Sequence, residues 1–260
     1  MLHHEISGNG KKPLVLLHGF MENTTIWEEM EAHLSKDFTL IKIDLPGHGK
    51  SKVYQEIHTV ELMAEKVKEV IDALKLEKIN LLGHSLGGYV SLAFAEKFPE
   101  ILESMTLFFS TTVADDEEKK AIRKRSIAVI DENFETFVKT SIPNLFSNNE
   151  KDILEGKIEL AKNIAKSTDK EGVKAAQLGM AERPDRTEIL ENLDAKILII
   201  AGKYDNAVKT ENLLKTIPEK TNIKTYVLDC GHNGHWEKPT ICAEIINTEL
   251  LHNLPKHFLL

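Results

Sequence analysis

KINLLGHSLGGYVSLAFAEKFP, residues 78–99, passes from an apolar, strand-like run straight into a helical one, with Ser85 at the joint and Gly83, Gly87 and Gly88 around it. A turn needing only flexibility could use one glycine, and a core needing only packing would not choose serine. The pattern makes sense if strand and helix backbones approach too closely for side chains and the turn lifts Ser85 out of the sheet. Gly83-His84-Ser85-Leu86-Gly87 fits G-x-S-x-G, a sharp strand-to-helix corner that exposes a nucleophilic serine. Five residues match by chance often, so the context carries the reading: a β-like run lies before the motif and a helical one after it. The alternative is a Gly-Ser turn with no chemistry.

Working outward, PLVLLH (13–18), FTLIKI (38–43), KINLLG (78–83) and KILIIAG (196–202) are short runs, apolar at successive positions and bounded by turn residues. Such runs are expected of parallel strands covered by helices on both faces. IKTYVLDCG (223–231) reads as a fifth strand and ILESMTLFF (101–109) as a sixth. Between them lie helical patterns. Val60, Met63, Val67, Val70, Ile71 and Leu74 recur at three- and four-residue spacing within 59–75, and 86–98 behaves alike, closing at Phe98-Pro99. This alternation predicts an α/β fold with a mostly parallel central sheet.

The rhythm stops between 112 and 192, where the chain is charged and reads as helices at 115–130, 132–140, 150–167 and 170–181. The expected organisation is therefore a core made of 1–111 and 193–260, with 112–192 inserted as a helical cap over the end of the sheet. An ordinary helical excursion touching no site is the alternative.

A chain of 260 residues that is 42% hydrophobic and 28% charged has the composition of a globular protein with one sizeable core. Its net charge of −8 argues against nucleic acid as a partner. Two cysteines, Cys230 and Cys242, are too few for a disulfide framework, and neither a signal-like start nor a membrane-length apolar run is read. A cytoplasmic protein without a membrane partner is expected. The four arginines, Arg123, Arg125, Arg183 and Arg186, all lie mid-chain, so any guanidinium contact to a substrate would come from there.

A serine hydroxyl needs a base. Of eleven histidines, His232 in VLDCGHNGHWEKP (227–239) is the best placed, after a strand and a glycine, with His235 as competitor. Asp205, in the loop after the strand of IIAGKYDNAV (199–208), would orient the imidazole. Ser85, Asp205, His232 is the chain order that accompanies such a corner. The oxyanion donors would be the backbone N–H groups of Leu86, next to the serine, and of Phe20, in the loop after the first strand. His18 then reads as a turn residue and His84 as the variable position of the motif. Asp205 as a helix cap and His232 as a surface residue are the bland alternatives. A metal bound by Cys230, His232 and His235 is another, opposed by the competing role of His232 and the lack of a fourth ligand.

HGF at 18–20, DLPGHGKS at 44–51, GHSLGG at 83–88, GKYD at 202–205 and CGHNGHWEKP at 230–239, taken together and in order, resemble the α/β-hydrolase superfamily, in particular its small esterase-like branch. The resemblance covers essentially the whole chain. It implies that His232 rather than His235 is catalytic and that Asp44–Ser51 is structural. It also implies that Glu237 is a helix-start residue and that Arg183, Asp185 and Arg186 close the cap. Serine at the elbow speaks against dehalogenases and epoxide hydrolases, and GHSLGGY against proline iminopeptidases. Tyr89, where menaquinone-pathway lyases tend to carry arginine, speaks against an isochorismate-derived substrate. Lys209 stands where a proline is common.

The implied activity is cofactor-free hydrolysis of small to medium carboxylic esters through an acyl-enzyme, with no metal. The same residues could serve carbon–carbon hydrolysis, a lyase step or perhydrolysis, or a ligand-binding protein on this scaffold. Phe20, Trp27, Tyr89, Phe108, Phe109 and Trp236 are the aromatic candidates for pocket walls, and ordinary core residues otherwise.

Overall fold

The computed structural model describes residues 1–34 and 36–251. The strands are β1 (His4–Ser7), β2 (Lys12–Leu17), β3 (Phe38–Ile43), β4 (Ile79–His84), β5 (Leu102–Phe108), β6 (Lys196–Gly202) and β7 (Ile223–Leu228). They form one sheet in the order β1-β3-β2-β4-β5-β6-β7. β1 pairs antiparallel with β3, and every other neighbouring pair is parallel. The six strands expected from apolar runs are present. β1 is an addition to them: it has four residues, no apolar run, and an Ile6 that is half exposed at the sheet edge.

Successive apolar residues along a strand face opposite ways, and both sides are covered. Val15 and Leu17 of β2 join one core with α2 (Val60–Ala73) and α3 (Leu86–Lys97). Leu14 and Leu16 join the other with residues of α1 (Glu28–Leu34) and of the last helix, α10 (Pro239–Leu251). Thr59 starts α2 by accepting the Leu62 N–H on its side-chain oxygen at 3.1 Å.

Between β5 and β6 the chain is helical: α4 (Glu117–Ser141), α5 (Glu155–Ser167), α6 (Lys170–Glu182) and α7 (Glu188–Asn192). α4 merges the two helices expected at 115–130 and 132–140. It is broken at Asn133, whose backbone leaves the helical region (φ −156°, ψ 85°) and whose Oδ1 accepts the Thr136 N–H at 2.9 Å. Two of the four arginines are structural. Arg183 donates to Asp115 Oδ1 at 2.9 Å and to the Met180 carbonyl at 2.7 Å, and it stacks on Tyr89. Arg186 donates to Glu96 and Glu61, tying the segment before α7 to α3 and α2. Arg125 is exposed. Asp185 accepts the Thr187 N–H at 2.9 Å.

After β6 come α8 (Thr210–Leu214), β7, α9 (Gly234–Glu237) and α10. No helix among the described residues is long and apolar enough to cross a membrane.

The glycines of the β4–α3 corner have the expected cause. A Cβ on Gly83 would lie 2.1 Å from the Gly87 carbonyl oxygen, one on Gly87 2.4 Å from the Leu17 carbonyl oxygen, and one on Gly88 2.3 Å from Ser110 Oγ. Because the first two obstacles are backbone, they cannot swing aside. Gly83→Ala is therefore expected to push α3 off β4 and destabilise the fold by about 1–3 kcal/mol or more. Chemical denaturation with the slope held constant checks this.

Candidate active site

Ser85 sits at φ 49°, ψ −109°, a left-handed backbone rare for a residue with a side chain. Such a conformation costs about 1–3 kcal/mol and persists only where surrounding structure enforces it. Here the Ser85 N–H donates to the Phe108 carbonyl at 3.0 Å, and the Ser85 carbonyl accepts from the Gly88 N–H at 2.9 Å and from Ser110 Oγ at 2.8 Å. The side chain is thereby held at the wall of a cavity of about 360 Å³ between the sheet and the helical block, and His232 lines the same cavity.

His232 comes from the loop after β7. Its Nδ1 donates to Asp205 Oδ2 at 2.7 Å, which leaves Nε2 of the neutral ring as an acceptor. Asp205 is fixed in turn, because its Oδ1 accepts the Ala207 and Val208 N–H groups, each at 2.8 Å. Both side chains are almost completely buried. Burial alone would lower the His232 pKa, but the Asp205 carboxylate outweighs it, with Glu22 and Glu237 adding, and holds it above the ordinary 6.5.

Two backbone donors near the corner are unpaired. Leu86 opens α3 and Phe20 follows Gly19, and neither N–H has an acceptor among the described residues. The Phe20 loop is tightly wound, with Met21 at φ 58°. His18 is a buried turn residue, with Nδ1 2.7 Å from the Gly19 carbonyl and Nε2 accepting the Leu45 N–H at 2.9 Å. Asp44 binds the Thr24 and Lys50 N–H groups, each at 2.9 Å, so the DLPGHGKS segment braces this loop.

A feature that sequence reading missed lies beneath the loop. The Glu22 carboxylate is buried, accepts the Gly19 N–H at 2.6 Å and stands 2.8 Å from His84 Nδ1. His84 Nε2 faces the His232 carbonyl oxygen at 3.0 Å. Both ring nitrogens of His84 thus stand within hydrogen-bond distance of oxygen atoms. Burial would raise the Glu22 pKa, but His84 more than offsets this, with His235 and Gly19 contributing, and brings it to about 2. His84 is therefore more than the variable letter of the motif, since it joins the Phe20 loop to the His232 loop. The available signal was an acid three residues after Gly19 in a stretch that is otherwise neutral.

The Cys230, His232 and His235 trio does not form a metal site. His232 is committed to Asp205, burial pushes the Cys230 thiol pKa up, and His235 Nε2 lies 3.7 Å from Glu22. Glu22, His84 and His235 do bring ligand atoms within 4.8 Å of one another. Glu237 lies in the first turn of the four-residue α9, as a helix-start residue would, and it does more than that position requires. It ends α9, and its carboxylate accepts the Gly231, Ser147 and Asn233 N–H groups at 2.8, 3.1 and 3.2 Å, pinning the His232 loop. Of the aromatic candidates, Phe20 and Tyr89 line the cavity, whereas Trp27, Phe108, Phe109 and Trp236 pack into the core.

Residues 12–239 match the family model described as the alpha/beta hydrolase fold. The chain belongs to the α/β-hydrolase family. A thermophilic esterase from Thermogutta terrifontis superimposes on this chain with a TM-score of 0.89 at 33% identity, covering 96% of this chain and 93% of its own. The 2-hydroxy-6-oxononadienedioate/2-hydroxy-6-oxononatrienedioate hydrolase of Escherichia coli K12 is 27% identical over 252 residues, 91% of this chain and 86% of its own. An uncharacterized protein of Mycobacterium tuberculosis is 34% identical over 111 residues, 43% of this chain but only 32% of the relative's length. The chain thus matches about a third of the length of that relative and most of the other two.

Proposed function

We propose that this α/β hydrolase cleaves small to medium carboxylic esters through an acyl-enzyme intermediate. The observation that carries the reading is the wall shared by Ser85, held at φ 49°, and His232, whose Nδ1 lies 2.7 Å from Asp205. Ser85 Oγ attacks the ester carbonyl while His232 Nε2 takes the hydroxyl proton, and Asp205 stabilises the resulting imidazolium. The negative charge that forms on the carbonyl oxygen is met by the Phe20 N–H and by the Leu86 N–H at the start of α3. Collapse expels the alcohol, which receives its proton from His232. Water, deprotonated by the same nitrogen, then frees the acid. No cofactor enters the chemistry, and residues 112–192 serve as the lid. Similarity to a solved esterase at 33% identity supports ester cleavage in particular.

Carbon–carbon hydrolysis is the second reading, favoured by similarity to the E. coli hydrolase over most of the chain. The two separate on a substrate panel. Activated esters of two to six acyl carbons turned over far faster than a vinylogous 1,5-diketone support the ester reading, and the reverse order supports carbon–carbon cleavage.

Only neutral His232 can act as base, so kcat/KM falls as pH drops through its pKa. Because Asp205 holds that pKa above the ordinary value, the acid limb is expected to have its midpoint above pH 6.5. A pH profile of kcat/KM on one ester checks this.

A further inference from the structure

The cap side of the cavity carries positive charge on a chain whose net charge is −8. Lys119, Ile122, Arg123 and Ser126 line it from a single stripe of α4, at the spacing that puts residues on one helix face. Three of the four arginines are spoken for or exposed, so Arg123 is the one turned to the cavity. It is held rather than mobile: Nε pairs with the fully buried Asp115, and Nη1 donates to Gln177 Oε1 at 3.0 Å. Nη2 has no acceptor among the described residues. Asp115 cannot neutralise the wall, since it is shared with Arg183 at 2.9 Å, leaving one carboxylate for two guanidinium groups. Lys119 adds a second cation, its Nζ 3.4 Å from the Ala207 carbonyl. The only acidic residue lining the cavity, among the described residues, is Glu22, already occupied with Gly19 and His84 on the core side.

We propose that Arg123, supported by Lys119, binds a carboxylate carried by the substrate away from its scissile bond, so that half-esters of dicarboxylic acids or esters of carboxylated alcohols are the preferred substrate class. A fixed planar guanidinium with a spare edge suits a carboxylate better than a neutral acyl chain, and the apolar remainder of the wall, with Ile122, Phe137 and Met180, takes the carbons between. This inference rests on the ester-hydrolase reading of the same site.

The test compares matched pairs. p-Nitrophenyl hemiglutarate against p-nitrophenyl valerate places the charge on the acyl side, and 4-carboxyphenyl butyrate against phenyl butyrate places it on the alcohol side. The wild type is expected to favour the charged member of one pair by tenfold or more in kcat/KM. Arg123→Gln should reduce that preference about tenfold, and Arg123→Lys should retain part of it, with melting temperatures showing that the variants fold. No preference in either pair, or one that Arg123→Gln leaves intact, would overturn the proposal while ester turnover still supported the hydrolase reading. If wild type cleaves neither member of either pair, the ester reading fails and binding decides the subsite. Calorimetry of monomethyl glutarate with Ser85→Ala should then show affinity about tenfold above that of the Ser85→Ala/Arg123→Gln double variant, and equal affinities would overturn the proposal.

Discussion

Ser85→Ala is expected to lower kcat on p-nitrophenyl butyrate by about a millionfold, to the level of spontaneous hydrolysis. The size of the loss follows from how the residues act together: without Oγ there is nothing for His232 to deprotonate and no acyl-enzyme to form. The loss should not come from unfolding. The bonds that hold position 85 are made by its own backbone, to the Phe108 carbonyl, the Gly88 N–H and Ser110 Oγ, and alanine keeps them at the same strained φ. Steady-state rates read beside a melting curve separate the two causes. The expected result is a vanished rate with a melting temperature within a few degrees of wild type.

Asp205→Asn is expected to cost about ten-thousandfold in kcat. The amide oxygen can still accept the Ala207 and Val208 N–H groups, so the loop geometry survives. The amide nitrogen would then face His232 Nδ1 and donate to it. That turns the ring to the tautomer with hydrogen on Nε2, which points a donor instead of a base at Ser85. The residual activity has its own signature. With the carboxylate gone, burial is left as the main influence on His232 and lowers its pKa, so the acid limb should move to lower pH than in wild type. A rate loss without that movement would mean that Asp205 acts by some route other than through His232.

The corner at 83–88 was legible because its requirements are local. A strained serine between close backbones calls for glycines within a few residues, and the clashes at Gly83, Gly87 and Gly88 are with that same turn or with residues at the ends of β2 and β5. The strands were legible because parallel strands covered on both faces show as unbroken apolar runs. β1 escaped notice because an exposed edge strand of four residues needs no such run. Asp205 and His232 could be found by their place after strands, each in a loop at the same end of the sheet.

Glu22 could not be found that way. Its partners, Gly19 and His84, lie 3 and 62 positions away, and only the fold brings the last of them near. The role of Glu237 was legible only in part for a related reason. Besides the N–H of Asn233 at the start of α9, its carboxylate reaches back to Gly231 in the His232 loop and across to Ser147, 90 positions distant. Arg123 was visible only as one of four arginines. Its orientation depends on Asp115 and Gln177, one on the segment before α4 and the other on α6. Aromatic residues were the least legible of all, since a ring near a corner motif packs into the core as readily as into a cavity, and Trp27 and Phe108 do the former.

The most direct test of the central claim is rapid-mixing hydrolysis of p-nitrophenyl acetate with intact-mass measurement of the quenched protein. The account predicts a burst approaching one p-nitrophenolate per chain, an added mass of one acetyl group, and its location on Ser85, all absent from Ser85→Ala. Steady ester turnover with no acyl adduct, or with the adduct on another residue and undiminished in Ser85→Ala, would contradict it.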